Sequence, residues 1–393
     1  MKRLMFAAAF GAASATLAFA QASAVKIGFI STFSGPNGIL GQELLDGFKL
    51  GLKSTGGTIG GRAVELIEGD DQAKPDVGRQ LADKMIESNR VQIITGPVFS
   101  SIMLALAKPV LDAGAFVLSI NAGPSQYAGK QCNPRYFSIS FQNDTPSEAM
   151  GLYLNTTSVK RIYLMAPNYP AGKDFLAGFK RTFKGEIADE VYTGFGQLDY
   201  AAEIAQLRAK KPDAVFFFYP GGMGINFVKQ YAQAGLKSQV PLFSTSGSLD
   251  QTVLPAMGDA ALNIFTAGFW SETTDNAVSH AFVAEFVDSY KRIPSSYAAV
   301  AYDGARALDA AAKAVGGKIE DKAAFQKALE NVVFESVRGK FRFNFNHYPV
   351  QDFYLTENVK DDKGRIAIAQ RGLIDADHAD AYVGDCKMAA AAK

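Results

Sequence analysis

Short apolar runs alternate with amphipathic stretches along most of this 393-residue chain, and this alternation constrains the fold more than any other feature. Val25–Ile30 is apolar and predicts a strand, whereas Leu44, Leu45, Phe48 and Leu52 recur at the spacing of one helix face. Repetition of such a pair predicts a parallel sheet that is covered by helices on both faces.

The alternation falls into two blocks, and the second begins after Phe141. The first block has further predicted strands and helices at Val64–Glu68, Val77–Glu87, Val91–Thr95, Ser101–Ala113 and Ala115–Ile120. The second block has predicted strands at Ile162–Ala166, Glu190–Phe195, Ala214–Tyr219, Pro241–Phe243 and Ile264–Phe269. Its helices are predicted at Phe175–Phe183, Tyr200–Ala209 and Gly224–Ala234, and two long helices follow at Ala277–Lys291 and Ser296–Val315. A hairpin of Asp352–Asn358 with Arg365–Gln370 is expected near the end. The pattern predicts the α/β class, with two doubly wound parallel-sheet lobes, and the length suffices for two domains.

The first twenty residues have the character of a secretory signal peptide. Lys2 and Arg3 supply the charged start, and the residues from there to Ala20 are apolar or small and uncharged. Small-x-small motifs predict cleavage after Ala20 or, alternatively, after Ala24, and the strand that begins at Val25 favours the first. An uncleaved membrane anchor is the competing interpretation. A signal peptide predicts export and therefore a periplasmic protein.

The charge balance argues against a nucleic-acid partner. The chain has 40 Lys and Arg residues against 39 Asp and Glu residues, a net charge of +1. A nucleic-acid binder needs an excess of basic residues to replace the counterions of phosphate. A single local site for a small anion remains compatible with this balance.

Cys132 and Cys386 are the only cysteines of the sequence, and they form no CxxC motif. In an oxidising compartment an even pair is typical of a disulfide rather than of a metal site. His280, His347 and His378 lie far apart and show no metal-ligand spacing. The sequence therefore predicts a disulfide, no metal site and no cofactor.

The sequence contains no G-x-S-x-G and no H-E-x-x-H motif. Gly123 to Lys130 resembles a phosphate loop but is one residue too long, and Gln131 stands where Ser or Thr is required. Asp70 and Asp71 form an acidic pair at a strand end, where a solvated loop is the simpler interpretation. These observations predict a protein that is not an enzyme.

Small and hydroxyl-bearing residues follow two strands of the first block, at the sheet edge where open α/β proteins bind ligands. Ser100 and Ser101 precede a predicted helix, whose free N–H groups and partial positive charge suit a carboxylate. Helix capping by a serine is the alternative. Asn121, Ala122 and Gly123 follow the next strand and predict a close backbone approach to the ligand, with a plain turn as the alternative.

The second block contributes Tyr169, Tyr219 and Ser246 at comparable strand ends. The two tyrosines could flank an organic ligand with their rings, although core packing is the alternative for each. Phe99 and Trp270 also lie near strand ends, where their rings could stack on a ligand ring. We therefore expect an organic ligand at these strand ends.

Several short motifs in a fixed order resemble the branched-chain amino-acid-binding family, the periplasmic components of ABC transporters with the type I fold. The resemblance spans nearly the whole mature chain. Its carriers are Val25-Lys26-Ile27-Gly28-Phe29, Ser34-Gly35-Pro36, Gly96-Pro97-x-x-Ser100, Ser119-Ile120-Asn121-Ala122-Gly123, Gln233-Ala234-Gly235-Leu236, Ser296-Tyr297-Ala298-Ala299 and Tyr302-Asp303.

The resemblance implies two lobes joined by a three-crossover hinge, with the ligand clamped between them. Lobe 1 would comprise residues 25–142 plus 272–345, lobe 2 residues 143–271 plus 346–371, and a C-terminal tail residues 372–393. The family's carboxylate-binding positions match Ser100, Asn121 and Gly123, with Ala122 between the last two. The implied partners are a small-molecule carboxylate and an inner-membrane ABC permease, and we expect a monomer.

The sequence departs from the amino-acid binders at three places. Leu40 and Ala171 stand where the family often has an aromatic residue and a tyrosine. No carboxylate lies between Leu242 and Leu249, so Ser246 occupies the region where the family places the acid that pairs with an α-ammonium group. Residues 121–125, in combination with residues 341–347 and 351–354, resemble the subgroup that handles aromatic acids.

We therefore expect an aromatic carboxylate, of the benzoate or hydroxycinnamate type, as the ligand. An amino-acid receptor is the first alternative. A ligand-sensing signalling module, which can use the same fold, is the second. A secreted hydrolase or isomerase would need a catalytic constellation that the sequence does not present.

Overall fold

The structure, a computed structural model, describes residues 23–388, and these residues form two sheets flanked by helices. The predicted signal peptide, residues 1–20, lies outside the described residues. The first sheet has the strand order β2-β3-β1-β4-β5-β6, and all its neighbours except β2 and β3 pair in parallel. Its strands are β1 (Val25–Ser31), β2 (Thr58–Ile59), β3 (Arg62–Asp70), β4 (Ile93–Thr95), β5 (Phe116–Ser119) and β6 (Tyr136–Ser138). We call this sheet and the helices packed on it lobe 1.

Helices from two distant stretches of the chain belong to lobe 1. Those from its first stretch are α1 (Gly38–Ser54), α2 (Pro75–Lys84), α3 (Ser100–Asp112) and α4 (Ser125–Ala128). A π-helical turn, Met85–Asn89, continues α2. The second stretch contains α10 (Ala277–Tyr290), α11 (Ser296–Ala314) and α12 (Lys322–Glu330). The helix α1 packs along α11, and α2 packs against α3.

The second sheet, with the helices around it, is called lobe 2. Five of its strands run in parallel: β7 (Arg161–Pro167), β8 (Glu186–Thr193), β9 (Ala214–Phe217), β10 (Leu242–Thr245) and β11 (Phe265–Gly268). Three later strands complete the sheet in antiparallel fashion: β12 (Arg342–Phe343), β13 (Pro349–Lys360) and β14 (Ile366–His378). Its helices are α5 (Thr145–Leu154), α6 (Pro170–Thr182), α7 (Ala201–Lys210), α8 (Gly222–Gln233) and α9 (Leu254–Met257). The predicted α/β class with two parallel-sheet lobes is confirmed, whereas the exact lobe boundaries remain a prediction.

Two differences from the sequence-based elements have a physical cause. The sequence shows no helical periodicity over α5, because this helix is buried around most of its circumference and lacks a polar face. The last strand, β14, runs past residue 371 to His378, since its pairing with β13 continues to Gln351. The segment expected to be a loose tail is therefore partly sheet.

The chain passes between the lobes three times, in what we call the crossing segments, and Arg338 contacts a residue at each of them. Its guanidinium donates to the Ser140 carbonyl at 3.1 Å and to Gln351 Oε1 at 2.8 Å, and it lies 5.6 Å from the Phe269 ring centroid. Asp303 on α11 neutralises it at 3.0 Å, and both side chains are fully buried. One residue thus contacts all three crossing segments.

Cys132 and Cys386 form the disulfide that the sequence predicts, with their Cα atoms 5.5 Å apart. Among the described helices, none combines the length and the apolar character that a membrane crossing requires. Within residues 23–388, no group of three or more His, Cys, Asp or Glu side chains could hold a metal ion.

Candidate functional site

A cavity lies between the lobes, at the carboxyl ends of β4 and β5 on one side and of β7, β9 and β10 on the other. Its lining residues come from both lobes: Val98, Phe99, Ser100, Asn121, Ala122, Phe141, Asn143, Tyr169, Ala171, Phe175, Phe218, Pro220, Gly247 and Tyr297. None of these described lining residues carries a charged side chain.

The wall contributed by lobe 1 begins at the N-terminus of α3. Ser100 is the first helical residue and Phe99 is the N-cap, so no serine side chain caps this helix. The Phe99 carbonyl accepts from the N–H groups of Ile102 and Met103. Within residues 23–388, the N–H groups of Ser100 and Ser101 have no hydrogen-bond partner. These donors and the helix dipole favour an anion at this point.

The loop after β5 forms the adjoining part of the wall and is held by its own hydrogen bonds. Asn121 Nδ2 donates to the Val98 carbonyl at 2.6 Å, and the Gly123 N–H donates to Asn143 Oδ1 at 3.1 Å. A Cβ atom at Gly123 would lie 2.0 Å from the Phe141 carbonyl oxygen, so the close approach of these two segments requires glycine. The loop therefore has one conformation beside the cavity.

Asn143 joins this wall to lobe 2 through a buried hydrogen-bond network. Its Nδ2 donates to Ser100 Oγ at 3.0 Å and to Asp174 Oδ2 at 2.9 Å. Asp174, on α6, also accepts from the Ser125 N–H at 3.1 Å and the Ser125 hydroxyl at 2.8 Å. Burial raises the pKa of Asp174 above its ordinary value, while the bonds from Asn143 and Ser125 act in the opposite direction.

Aromatic rings form most of the remaining wall. Phe175 and Phe218 stack in parallel with centroids 3.6 Å apart, and Phe99 meets Tyr169 edge-on at 6.1 Å. The Tyr169 hydroxyl has no hydrogen-bond partner in the described part of the chain. The Tyr297 hydroxyl, from lobe 1, donates to the Gly247 carbonyl of lobe 2 at 3.0 Å. The six rings that line the cavity belong to Phe99, Phe141, Tyr169, Phe175, Phe218 and Tyr297.

The structure brings five of the residues that the sequence singled out to the cavity: Phe99, Ser100, Asn121, Ala122 and Tyr169. Gly123 lies directly behind Ala122 and bonds to Asn143. Ser101, Tyr219, Ser246 and Trp270 do not line it.

Alternation along the backbone explains the absence of Tyr219, since successive residues of an extended chain point to opposite sides. Phe218 lines the cavity, whereas its neighbour Tyr219 packs on Tyr200 and accepts a hydrogen bond from the Thr193 hydroxyl at 3.1 Å. Ser246 begins the turn after β10, in which Gly247 lines the cavity.

Trp270 and Ser246 line a smaller, separate cavity. The Trp270 Nε1 donates to Ser279 Oγ at 2.9 Å, and its ring packs on Phe282. The same small cavity contains Asp250, whose pKa burial raises to about 7. Trp270 thus packs away from the larger cavity, and its contact with a ligand stays a prediction.

Sequence reasoning missed Asn143, Phe141, Phe175, Phe218 and Tyr297. Phe175 and Tyr297 lie within helices and Asn143 lies on a crossing segment, not at a strand end. Tyr297 does stand in one of the motifs that carry the family resemblance. Phe218 follows a strand, but its neighbours are all buried, so burial does not indicate which of them faces the cavity. The alternation of side chains along residues 214–219 is the available signal.

A family model described as periplasmic binding protein matches residues 24–365 of the chain. Leu/Ile/Val-binding protein homolog 6 of Brucella melitensis is 28% identical over 361 residues, which cover 88% of this chain and 90% of that protein.

Solved structures show the same similarity. An R. palustris ABC-transporter solute-binding protein in complex with benzoate has 31% identity and a TM-score of 0.88, over 93% of this chain and 100% of that one. A solute-binding protein of Rhodopseudomonas palustris BisB5 in complex with 3,4-dihydroxybenzoic acid has 30% identity and a TM-score of 0.85, over 90% and 98%. A leucine-binding protein of Thermotoga maritima, at 18% identity and a TM-score of 0.79, shares the fold.

Proposed function

This chain belongs to the periplasmic binding protein family, and from that premise we propose that it captures a small aromatic carboxylate for an ABC importer. As a solute-binding protein of an ABC transporter, it binds a small molecule outside the cytoplasm, works with a membrane permease and is not an enzyme. The proposal concerns the chemistry of the solute and the residues that hold it.

The observation that carries the proposal is the set of polar groups around the cavity. Ser100 Oγ and the first-turn N–H groups of α3 offer hydrogen-bond donors, and no charged side chain is among the described lining residues. An anion can be held by such donors together with a helix dipole. An ammonium group enclosed between the lobes would need a charged partner. Burying it without such a partner would reduce the binding free energy by several kcal/mol.

The apolar part of the solute is inferred from the rings. Six aromatic side chains line the cavity, and their flat faces and edges suit a planar aromatic ring. The solved relatives that bind benzoate and 3,4-dihydroxybenzoic acid support this assignment, at 31% and 30% identity. We assign the carboxylate to Ser100 and the loop of Asn121, Ala122 and Gly123, and the ring to the aromatic walls.

Calorimetric titration of ligand-free protein with benzoate, 4-hydroxybenzoate and leucine tests the proposal. We expect the aromatic acids to bind and leucine to give no heat of binding. Ser100→Ala should lower the affinity for benzoate about 10- to 100-fold, which corresponds to the loss of a hydrogen bond to a charged group. Tyr219→Phe, which alters a hydroxyl outside the cavity, is the control and should bind as the wild type does.

Binding of leucine without binding of either aromatic acid would contradict the proposal. It would instead assign the protein to the amino-acid receptors, the function that the names of the Brucella relatives suggest.

A further inference from the structure

We propose that Asn143 and Asp174 fix the direction of the Ser100 hydroxyl proton, so that Ser100 can only donate to the solute and the cavity selects an oxyanion at that point. The inference deepens the proposed function and rests on it, because it concerns how the same site recognises a carboxylate. Asn143 and Asp174 are positioning residues that act through Ser100.

The orientation of the Asn143 amide is settled by its partners. Its Oδ1 accepts from the Gly123 N–H at 3.1 Å, and its Nδ2 faces Asp174 Oδ2 at 2.9 Å. Rotating the amide by half a turn would set a donor against the Gly123 N–H and an acceptor against the Asp174 oxygen. Both hydrogen bonds would be lost, so a single orientation satisfies the buried groups.

Asp174 is an acceptor at this point in either charge state. Its Oδ2 also accepts from the main-chain N–H of Ser125, a group that can only donate. A neutral carboxyl group would carry its proton on Oδ1, where the Ser125 hydroxyl can accept it, because Oδ2 faces two N–H donors. The Asn143 Nδ2 consequently always meets an acceptor on the side of lobe 2.

The second hydrogen of Asn143 Nδ2 points to Ser100 Oγ, 3.0 Å away, and this makes the serine oxygen the acceptor. Ser100 is buried and its hydroxyl donates to no residue within 23–388. The proton is left for whatever occupies the cavity. A carboxylate oxygen accepts such a proton, and a chain of aligned hydrogen bonds strengthens each of its members.

Exchanging the two side chains tests this inference. In Asn143→Asp/Asp174→Asn the net charge and the shape are conserved, and the amide at position 174 donates to the carboxylate at position 143 in place of accepting from the Ser125 N–H. The new carboxylate beside Ser100 accepts the serine proton and turns it away from the cavity. We expect benzoate affinity to fall about 30-fold or more, the equivalent of losing a hydrogen bond to a charged group. Benzamide can donate its own N–H to Ser100 Oγ, so its affinity should fall much less.

Two controls separate this effect from a general disturbance. Asn346 and Asp380 form another buried amide–carboxylate pair, in which Asn346 Nδ2 also donates to the Ala128 carbonyl, and neither lines the cavity. Asn346→Asp/Asp380→Asn should leave benzoate affinity within about twofold, as distant sites act independently. In a Ser100→Ala background, the exchange at 143 and 174 should lose most of its effect.

The inference would be overturned if the exchange lowered the affinities for benzoate and benzamide equally. It would also be overturned if the exchange lowered benzoate affinity by the same factor with and without Ser100. If the exchange variant does not fold, Asn143→Asp alone presents the same acceptor to Ser100, and the ratio of benzoate to benzamide affinity should fall in the same direction. Wild-type protein that binds leucine instead of benzoate overturns the proposed function only, because the leucine carboxylate then serves as the probe. Wild-type protein that binds none of these carboxylates overturns both.

Discussion

Asp250 is a buried carboxyl group on lobe 2 that faces lobe 1. Oδ1 accepts from the Thr252 N–H at 2.9 Å, and Oδ2 lies 3.4 Å from the Ser296 hydroxyl of α11. Burial is the main reason that its pKa rises to about 7, and the nearby Glu43 raises it further. Arg292 pairs with Glu43 rather than with Asp250, which leaves Asp250 without a cation.

One contribution to the pH dependence of stability follows from this raised pKa. Between about pH 4 and 7 the folded protein holds the Asp250 proton and the unfolded chain releases it, so the contribution of Asp250 to the free energy of unfolding falls as pH rises. We expect Asp250→Asn, which mimics the protonated group, to gain stability over the wild type across this window, by up to about 4 kcal/mol at pH 8.

Urea unfolding of both proteins at pH 5 and pH 8 measures this difference. Asp275→Asn serves as the control, because the Asp275 side chain is 96% exposed. Parallel pH profiles for the wild type and Asp250→Asn would contradict the assignment of Asp250.

At the scale of elements, the end of β14 and the segment after it contact both lobes. On lobe 2, His378 Nε2 lies 2.7 Å from Glu148 Oε2, and the Tyr382 hydroxyl donates to Asp144 at 2.8 Å. On lobe 1, the disulfide reaches Cys132, just after α4. The chain end therefore provides a fourth covalent connection between the lobes, in addition to the three crossing segments.

Removing this connection should lower stability and leave the cavity intact. The disulfide closes a loop with a sequence separation of 254, and restricting so long a loop stabilises the folded state by about 5 kcal/mol at most. We expect Cys132→Ser/Cys386→Ser to lower the midpoint of thermal unfolding while benzoate affinity changes little. Thiol titration of unreduced, denatured wild-type protein should find no reactive thiol, and two reactive thiols would contradict the bond.

At the scale of the whole molecule, the contacts across the cavity couple solute binding to the arrangement of the lobes. Phe99 of lobe 1 meets Phe195 of lobe 2 edge-on at 5.1 Å, and Ser125 donates twice to Asp174. A solute that touches both lobes stabilises the arrangement in which these contacts form. The crossing segments held by Arg338 are the natural place for a hinge.

We therefore expect a saturating aromatic acid to shift the protein toward its more compact form. Small-angle scattering should show a smaller radius of gyration with benzoate than without it. Benzoate at 100 times its dissociation constant should also add about 2.7 kcal/mol to the free energy of unfolding. An unchanged scattering profile, with saturation confirmed by calorimetry, would count against closure.

The sequence by itself determined the fold class and one wall of the cavity. Apolar strands that alternate with amphipathic helices leave few architectures other than a parallel sheet covered on both faces, and the structure confirms this class. Ser100, Asn121 and Ala122 could be found because the strand ends of an open sheet meet at one edge, whatever the rest of the fold. These inferences depend on local periodicity, which can be read along the chain.

Only the tertiary structure decided which residues complete the cavity. Phe175 and Phe218 carry the pattern of ordinary core residues, Tyr297 stands in a family motif that does not indicate a place in the cavity, and Asn143 lies in a segment with no motif. They become neighbours because the two lobes face each other. The side to which a residue at a strand end points changes with a shift of one residue, as Phe218 and Tyr219 show. The direction of the Ser100 proton depends on Gly123, Asn143 and Asp174 together, residues that only folding places within hydrogen-bond distance.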